Sequence, residues 1–171
     1  ICEGAQHYGL EAAYLGQDGQ FWALGEYTDY TAFRSGLDGA EVPDYNADSS
    51  TLSMGYVLNG KKRYDIKKAA FKAPKVETKW PNKGTGVWEV AARYSHVDMD
   101  DNNSSKILGG VMDNYTLGLN WYINGNAMIK ANYIRSIMNN KAAQNAGATS
   151  ASLNGGGAST DIYGMRFQYK F

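Results

Sequence analysis

Residues 163–171 read Tyr163-Gly164-Met165-Arg166-Phe167-Gln168-Tyr169-Lys170-Phe171. Apolar or aromatic side chains alternate with small, polar or charged ones. Successive side chains of an extended strand point to opposite faces. Tyr163, Met165, Phe167, Tyr169 and Phe171 therefore share one face, and Gly164, Arg166, Gln168 and Lys170 the other. The same period of two recurs upstream. In 115–123, Tyr115, Leu117, Leu119, Trp121 and Ile123 oppose Thr116, Gly118, Asn120 and Tyr122. In 87–95, Trp88, Val90, Ala92 and Tyr94 oppose Glu89, Ala91, Arg93 and Ser95. In 51–58, Leu52, Met54, Tyr56 and Leu58 oppose Thr51, Ser53, Gly55 and Val57. In 128–134, Ile129, Ala131 and Tyr133 oppose Lys130 and Asn132, with Ile134 breaking the polar face. Residues 7–15 and 20–30 alternate less cleanly, with Tyr8, Leu10, Ala12 and Tyr14 opposite Glu11, and Phe21, Ala23 and Tyr27 opposite Glu26. Seven strands are expected, and no segment has the caps and 3.6-residue apolar stripe of a helix. The reading is all-β and antiparallel.

Gly16-Gln17-Asp18-Gly19 and Asn124-Gly125-Asn126 read as tight hairpin turns, rich in residues that accept positive φ. The connections 33–48 and 98–113 are expected to be longer and polar, and 139–160, an Ala/Ser/Asn/Gly tract, to be a mobile external loop. A length of 171 residues fits one domain. No apolar run approaches the roughly 20 residues of a spanning helix. The single cysteine, Cys2, excludes an intramolecular disulfide, and two distant histidines, His7 and His96, argue against a zinc site. Asp98, Asp100 and Asp101 lack the spacing of a calcium loop. No cofactor is expected. Nor is an enzyme, since no nucleophile–base arrangement, P-loop or carboxylate pair stands out. Lys and Arg together number 17, as do Asp and Glu, so a nucleic-acid partner is not indicated. The chain opens at Ile1-Cys2-Glu3 without an initiator Met, which leads us to expect a processed protein or a segment.

The neutral sum hides a strong asymmetry. Residues 61–83 hold nine cations (Lys61, Lys62, Arg63, Lys67, Lys68, Lys72, Lys75, Lys79 and Lys83) against two acids, Asp65 and Glu77. That segment carries +7, and the remainder, with eight cations and fifteen acids, carries −7. An anion attractor is thus embedded in an acidic chain.

Alternating antiparallel strands belong either to a soluble sandwich, whose apolar faces meet each other, or to a membrane barrel, whose apolar face meets lipid. Aromatics near the strand ends (Trp88, Tyr94, Tyr115, Trp121, Tyr163, Tyr169) suit interfacial girdles. The Gly, Asn, Glu, Arg and Lys of the opposite faces suit a wet lumen, so the barrel is favoured. The ending Tyr169-Lys170-Phe171 resembles the terminal-strand signal by which outer-membrane barrels are recognised for assembly.

Several motifs resemble the phosphate-selective porin O/P family of Gram-negative outer membranes. Gly86-Val87-Trp88-Glu89-Val90-Ala91-Ala92-Arg93-Tyr94-Ser95 is similar to that family's G-x-[WF]-E-[LV]-A-x-R-[YF]-[ST] strand. Gly118-Leu119-Asn120-Trp121-Tyr122-Ile123-Asn124 is similar to its G-[LV]-N-W-Y-[LI]-N element, and Asn132-Tyr133 fits the strand after it. Leu58-Asn59-Gly60-Lys61-Lys62-Arg63-Tyr64 resembles L-T-G-E-x-R-x-Y, with Asn59 for Thr and Lys61 for Glu, followed by Phe71-Lys72-Ala73-Pro74. The resemblance covers roughly residues 50–135 and the terminus. It implies that 1–171 is the C-terminal part of a single porin barrel of about 16 strands. It also implies the bacterial outer membrane as location, lipid bilayer and barrel assembly machinery as partners, and a homotrimer.

If the last strand ends at the periplasm, 124–126 and 59–86 lie on that side. A basic connection there, where turns are normally short, is expected to fold into the lumen. Family channels use such inward segments to pass anions. The expected function is passive, anion-selective, phosphate-like diffusion of inorganic or small organic anions. The expected anion pathway is Lys61, Lys62, Arg63, Lys67, Lys68, Lys72 and Lys75 with lumen-facing Arg93, Lys130 and Arg166, and the expected assembly signal is Tyr169 and Phe171. Other roles stay open for these residues: Arg93 can pair with Glu89, Glu26 or Glu11, and Lys130 and Arg166 can balance wall acids. Two other functions also stay open, a barrel acting as anchor or partner-binding surface and a soluble sandwich binding a polyanion.

Overall fold

The computed structural model describes residues 2–36, 41–77, 84–101, 105, 107–139 and 157–171. Its strands are β1 (Cys2–Leu15), β2 (Phe21–Arg34), β3 (Tyr45–Val57), β4 (Arg63–Asp65), β5 (Ala70–Lys72), β6 (Val87–Asp101), β7 (Ile107–Tyr122), β8 (Ala127–Asn139) and β9 (Gly157–Tyr169). A 3-10 turn, Ile66–Lys68, joins β4 to β5. Seven strands form one open sheet in the order β1-β2-β3-β6-β7-β8-β9, every pair antiparallel. These are the seven expected from the alternation. The short β4 and β5 make a separate hairpin within the connection between β3 and β6.

The apolar face lies open. Leu10 is 73% exposed, Leu117 61%, Phe167 63% and Met165 82%. A sandwich would have covered these side chains with a second sheet. Aromatics pair across neighbouring strands on this face. Trp88 and Trp121 stack with centroids 5.1 Å apart and planes 8° apart, and Tyr94 meets Tyr115 at 5.1 Å and Tyr133 meets Tyr163 at 5.2 Å. Such cross-strand aromatic pairs hold the register. Val90, Ala92, Leu117 and Leu119 lie between the Trp88–Trp121 level and the Tyr94–Tyr115 level. The open face is therefore a greasy band bounded by aromatic rows. Apolar burial instead gathers at one rim, where Val57, Val76, Val87 and Tyr122 cluster, with Met128 packed against them.

That rim carries the short turns. Gly16 N–H donates to Phe21 O at 2.8 Å, and Gly19 (φ 73°) donates to Gly16 O at 2.9 Å. Asn124 Oδ1 accepts from the N–H groups of Asn126 and Ala127, each at 2.8 Å. Lys170 N–H, just past β9, donates to Asn126 O at 2.8 Å, so the C-terminal residues share the rim with both turns.

At the opposite rim the strands run further than the alternation suggests. The expected loop 98–113 is largely strand, because β6 continues to Asp101 and β7 begins at Ile107. Likewise 33–34 end β2 and 45–48 begin β3. Where both faces meet water, backbone pairing continues with no apolar–polar alternation to mark it. Of the expected loop 139–160, residues 140–156 lie outside the described residues, Asn139 ends β8 and 157–160 begin β9.

Candidate functional site

Of the connection between β3 and β6, residues 58–77 and 84–86 are described, and Lys62 and Phe71 lay it against Trp22 and Glu89 on the polar face of the sheet. Both of its ends are clamped by Asn59, whose Nδ2 donates to Gly86 O at 2.7 Å and whose Oδ1 accepts from Trp88 N–H at 2.8 Å. Asn replaces the Thr expected at this position and supplies both a donor and an acceptor. Lys62 N–H donates to Gly19 O at 2.7 Å, tying the connection to the β1–β2 turn. Between them lies a groove of about 920 Å³ lined by Lys61, Lys62, Arg63, Lys75, Asp18 and Glu77.

Beneath the connection, Glu89 of β6 is fully buried. Its Oε1 accepts from Trp22 Nε1 at 2.7 Å and from the Lys62 ammonium, and its Oε2 from Tyr122 OH at 2.6 Å and Asn120 Nδ2 at 3.2 Å. The Lys62 Nζ lies 4.1 Å from the centre of the Trp22 ring, a cation–π contact. Phe71 of β5 packs on Trp22 at 5.2 Å and on Tyr64 at 5.0 Å. Lys62 is 9% exposed as a side chain. Burial pushes its ammonium below the ordinary lysine value, while the Glu89 carboxylate pulls the other way. A buried charge pair is tolerated when the remaining hydrogen-bonding positions are filled, as those of the Glu89 carboxylate are here.

Local sequence explains the reach. Trp22 stands two strands from Glu89, and Gly55 of β3 lies between them in register with both Trp22 and Ala91. A Cβ at Gly55 would come within 2.6 Å of the Trp22 indole nitrogen. The missing side chain lets the ring lie across β3 and present its N–H to the carboxylate.

The ten cations expected to form an anion pathway divide into groups. Lys62 is ion-paired with Glu89, and Lys72 with Asp65 at 2.9 Å. Lys75 stands 4.0 Å from Glu77 with both side chains exposed, a contact of little energetic weight. Lys61, Arg63, Lys67 and Lys68 are exposed on the connection. Arg93 donates from Nε to Ser53 Oγ at 2.9 Å. It does not take Glu89, which lies four residues away on the same strand, about 13 Å at strand spacing. Lys130 and Arg166 face each other directly across β8 and β9 on the polar face. Like charges so placed repel and are best relieved by a shared anion or by water. Lys130 is also close enough for its charge to act on Lys62. A recess of about 460 Å³ on this wall is lined by Arg93, Lys130, Thr116, Asn120, Asn132 and Lys62 among others. On the far side of the sheet Glu11 and Glu26 face each other, so cations and acids are laterally segregated. Lys79 and Lys83, counted in the basic run, lie outside the described residues.

Sequence reasoning placed Glu89, Asn120 and Tyr122 on the polar face but did not join them. Trp22 was missed; the signal was a tryptophan out of phase with the apolar face of its own strand.

The tip of the connection is held by Asp65. Its carboxylate takes Lys72 and caps the 3-10 turn by accepting from Lys67 N–H at 3.1 Å. The Lys72 ammonium, with the backbone N–H of Lys67, holds the Asp65 carboxyl below the usual carboxylate range. A lowered carboxylate pKa contributes stability above the ordinary value, lost as pH falls through the lowered one. Hydrogen exchange over 63–72 is therefore expected to be unchanged from pH 7 to 5 after correction for the intrinsic rate. It is expected to accelerate on further acidification, and Asp65→Asn is expected to abolish that dependence.

The family profile described as "Phosphate-selective porin O and P" matches residues 1–171. Among curated relatives, Porin O of Pseudomonas aeruginosa is 30% identical over 139 residues, covering 75% of this chain and 29% of that protein. The chain thus spans less than a third of that relative's length.

Proposed function

Since the chain belongs to the phosphate-selective porin O and P family, and with it to the β-barrel proteins of the bacterial outer membrane, we propose that it lends seven strands and an inward-folded basic connection to a barrel that passes small oxyanions by passive diffusion. The observation that supports this reading is the basic connection, whose described residues 61–77 hold seven cations against two acids and meet the polar face at Trp22 and Glu89, with an exposed apolar face behind it. The polar face is the lumen wall and the apolar face meets acyl chains.

The chemistry is electrostatic focusing. Fixed cations in a water-filled bore with low-dielectric walls raise the local anion concentration and exclude cations. Lys61, Arg63, Lys67 and Lys68 on the connection, with Lys72 and Lys75 behind them, form a succession of moderate sites. Arg93, Lys130 and Arg166 continue it along the wall. Arg forks suit phosphate oxygens two at a time, whereas Lys is a flexible point charge. Several weak sites allow an ion to enter and also to leave. Phosphate is the anion favoured by the description of the family. The reading includes a homotrimer, and it includes recognition by assembly machinery through exposed Tyr169 and Phe171, whose rings meet at 5.2 Å. No enzymatic step is part of it.

The test is the reversal potential of the intact barrel in a planar bilayer under a salt gradient. Replacing Lys61, Arg63, Lys67 and Lys68 by Gln is expected to move it toward cation selectivity. An unchanged potential removes the connection from the pathway. A parent channel that prefers cations defeats the reading outright.

A further inference from the structure

We propose that Glu89 is a positioning residue for conduction: a buried wall carboxylate that latches the basic connection onto the polar face through Lys62. This rests on the channel reading above. It assigns Lys62 to holding the pathway in place, and leaves ion contact to the other cations.

The geometry separates Lys62 from its neighbours in the same basic run. Lys61, Arg63, Lys67 and Lys68 are exposed, but the Lys62 side chain is nearly buried, with its ammonium on Glu89 Oε1 and over the Trp22 ring. The carboxylate, carried by β6, takes wall donors from two other strands: Trp22 of β2, and Asn120 and Tyr122 of β7. That makes its place on the wall rigid before Lys62 arrives. The cage has donors for Glu89 from the wall, yet none of them is a cation. Lys62 supplies the charge that the buried carboxylate requires. Phe71, nine residues beyond Lys62 and across the hairpin from Tyr64, closes over the same indole. Beyond the backbone tie of Lys62 to Gly19 O, side chains thus pin residues 61–72 at one charged point and one aromatic point, from which the exposed cations around them take their positions.

A local consequence follows for the pore. The Glu89 charge does not face passing anions, because Lys62 neutralises it. Acid on the wall and base on the connection cancel at the latch, and the net positive field comes from the exposed residues around it. Loss of either partner frees the hairpin and unmasks the other's charge.

The experiment uses the intact porin with Glu89→Gln, Lys62→Met and the double variant, each checked for folding by heat-modifiable mobility. Two readouts are taken: limited trypsin cleavage after Lys61, Lys67 or Lys68, and the reversal potential. Both single variants are expected to raise cleavage on the order of tenfold or more, the change due to losing an interaction with a charged group. Both are expected to lower anion selectivity, and the double variant to be no worse than the poorer single. Opposite shifts in selectivity, with Glu89→Gln more anion-selective and Lys62→Met less, would make Lys62 an ion ligand and overturn the latch. Unchanged cleavage overturns it, as does raised cleavage with selectivity unmoved. Cleavage does not depend on conduction. A parent without anion selectivity therefore sinks the channel reading alone, and the hold of Glu89 on the connection is then decided by cleavage.

Discussion

Glu89→Ala is expected to be among the most damaging single substitutions in the described residues, weakening the docking of residues 58–72 by about 3–5 kcal/mol, the usual consequence of removing one partner from a buried ion pair. The truncation leaves the Lys62 ammonium against aromatic rings without its carboxylate, and it orphans the donors of Trp22, Asn120 and Tyr122 together. Glu89→Gln keeps the shape and one acceptor oxygen, and should cost less than that while still freeing the connection. Native-state hydrogen exchange over 58–72 is the measurement. Equal exchange in the parent and in Glu89→Ala would show that the docking energy lies elsewhere, in Phe71 and the Asn59 clamp.

The second large effect is expected at Gly86, where the connection re-enters β6. Its φ of +72° lies in the left-handed region, and an added Cβ would stand 2.4 Å from Tyr122 O and 2.9 Å from Trp121 Nε1. A left-handed L-residue costs about 1–2 kcal/mol on its own. The contact with Tyr122 O is with backbone of a paired strand, which cannot move aside cheaply. Gly86→Ala is therefore expected to cost more than about 2 kcal/mol and to lower the yield of assembled barrel. Gly25→Ala and Gly164→Ala are the controls. Nothing lies within 4 Å of a Cβ at either position. They are expected to change the urea midpoint of the reconstituted barrel little. A Gly86→Ala midpoint no lower than theirs would refute the strain argument.

Much of this was legible along the chain because a strand's side chains report its surroundings with period two. Tyr115 to Trp121 and Tyr163 to Phe167 announced one greasy face, and Tyr115, Leu117, Leu119, Tyr163, Met165 and Phe167 are indeed exposed. The strand ends were not legible at the water-exposed rim. There Asp98, Asp100 and Asp101 read as loop residues, but pair as strand with β7 or stand beside it. Backbone hydrogen bonding does not depend on side-chain polarity, so composition alone under-reads a wet strand.

The site divides in the same way. The clustering of nine cations in 61–83 is a property of the sequence alone, and so is the phase that sets Arg93, Lys130 and Arg166 on the polar side. Which cations remain exposed was decided only by the tertiary fold. Lys62 and Glu89 are 27 residues apart, and Trp22 and Glu89 67 apart. Their meeting depends on the β2-β3-β6-β7 register and on the missing side chain at Gly55, whose place the Trp22 ring takes. Local alternation is a one-dimensional signal, fixed by how each side chain meets lipid or water. A buried charge pair between distant segments is set by register and shape, which no single stretch of sequence contains.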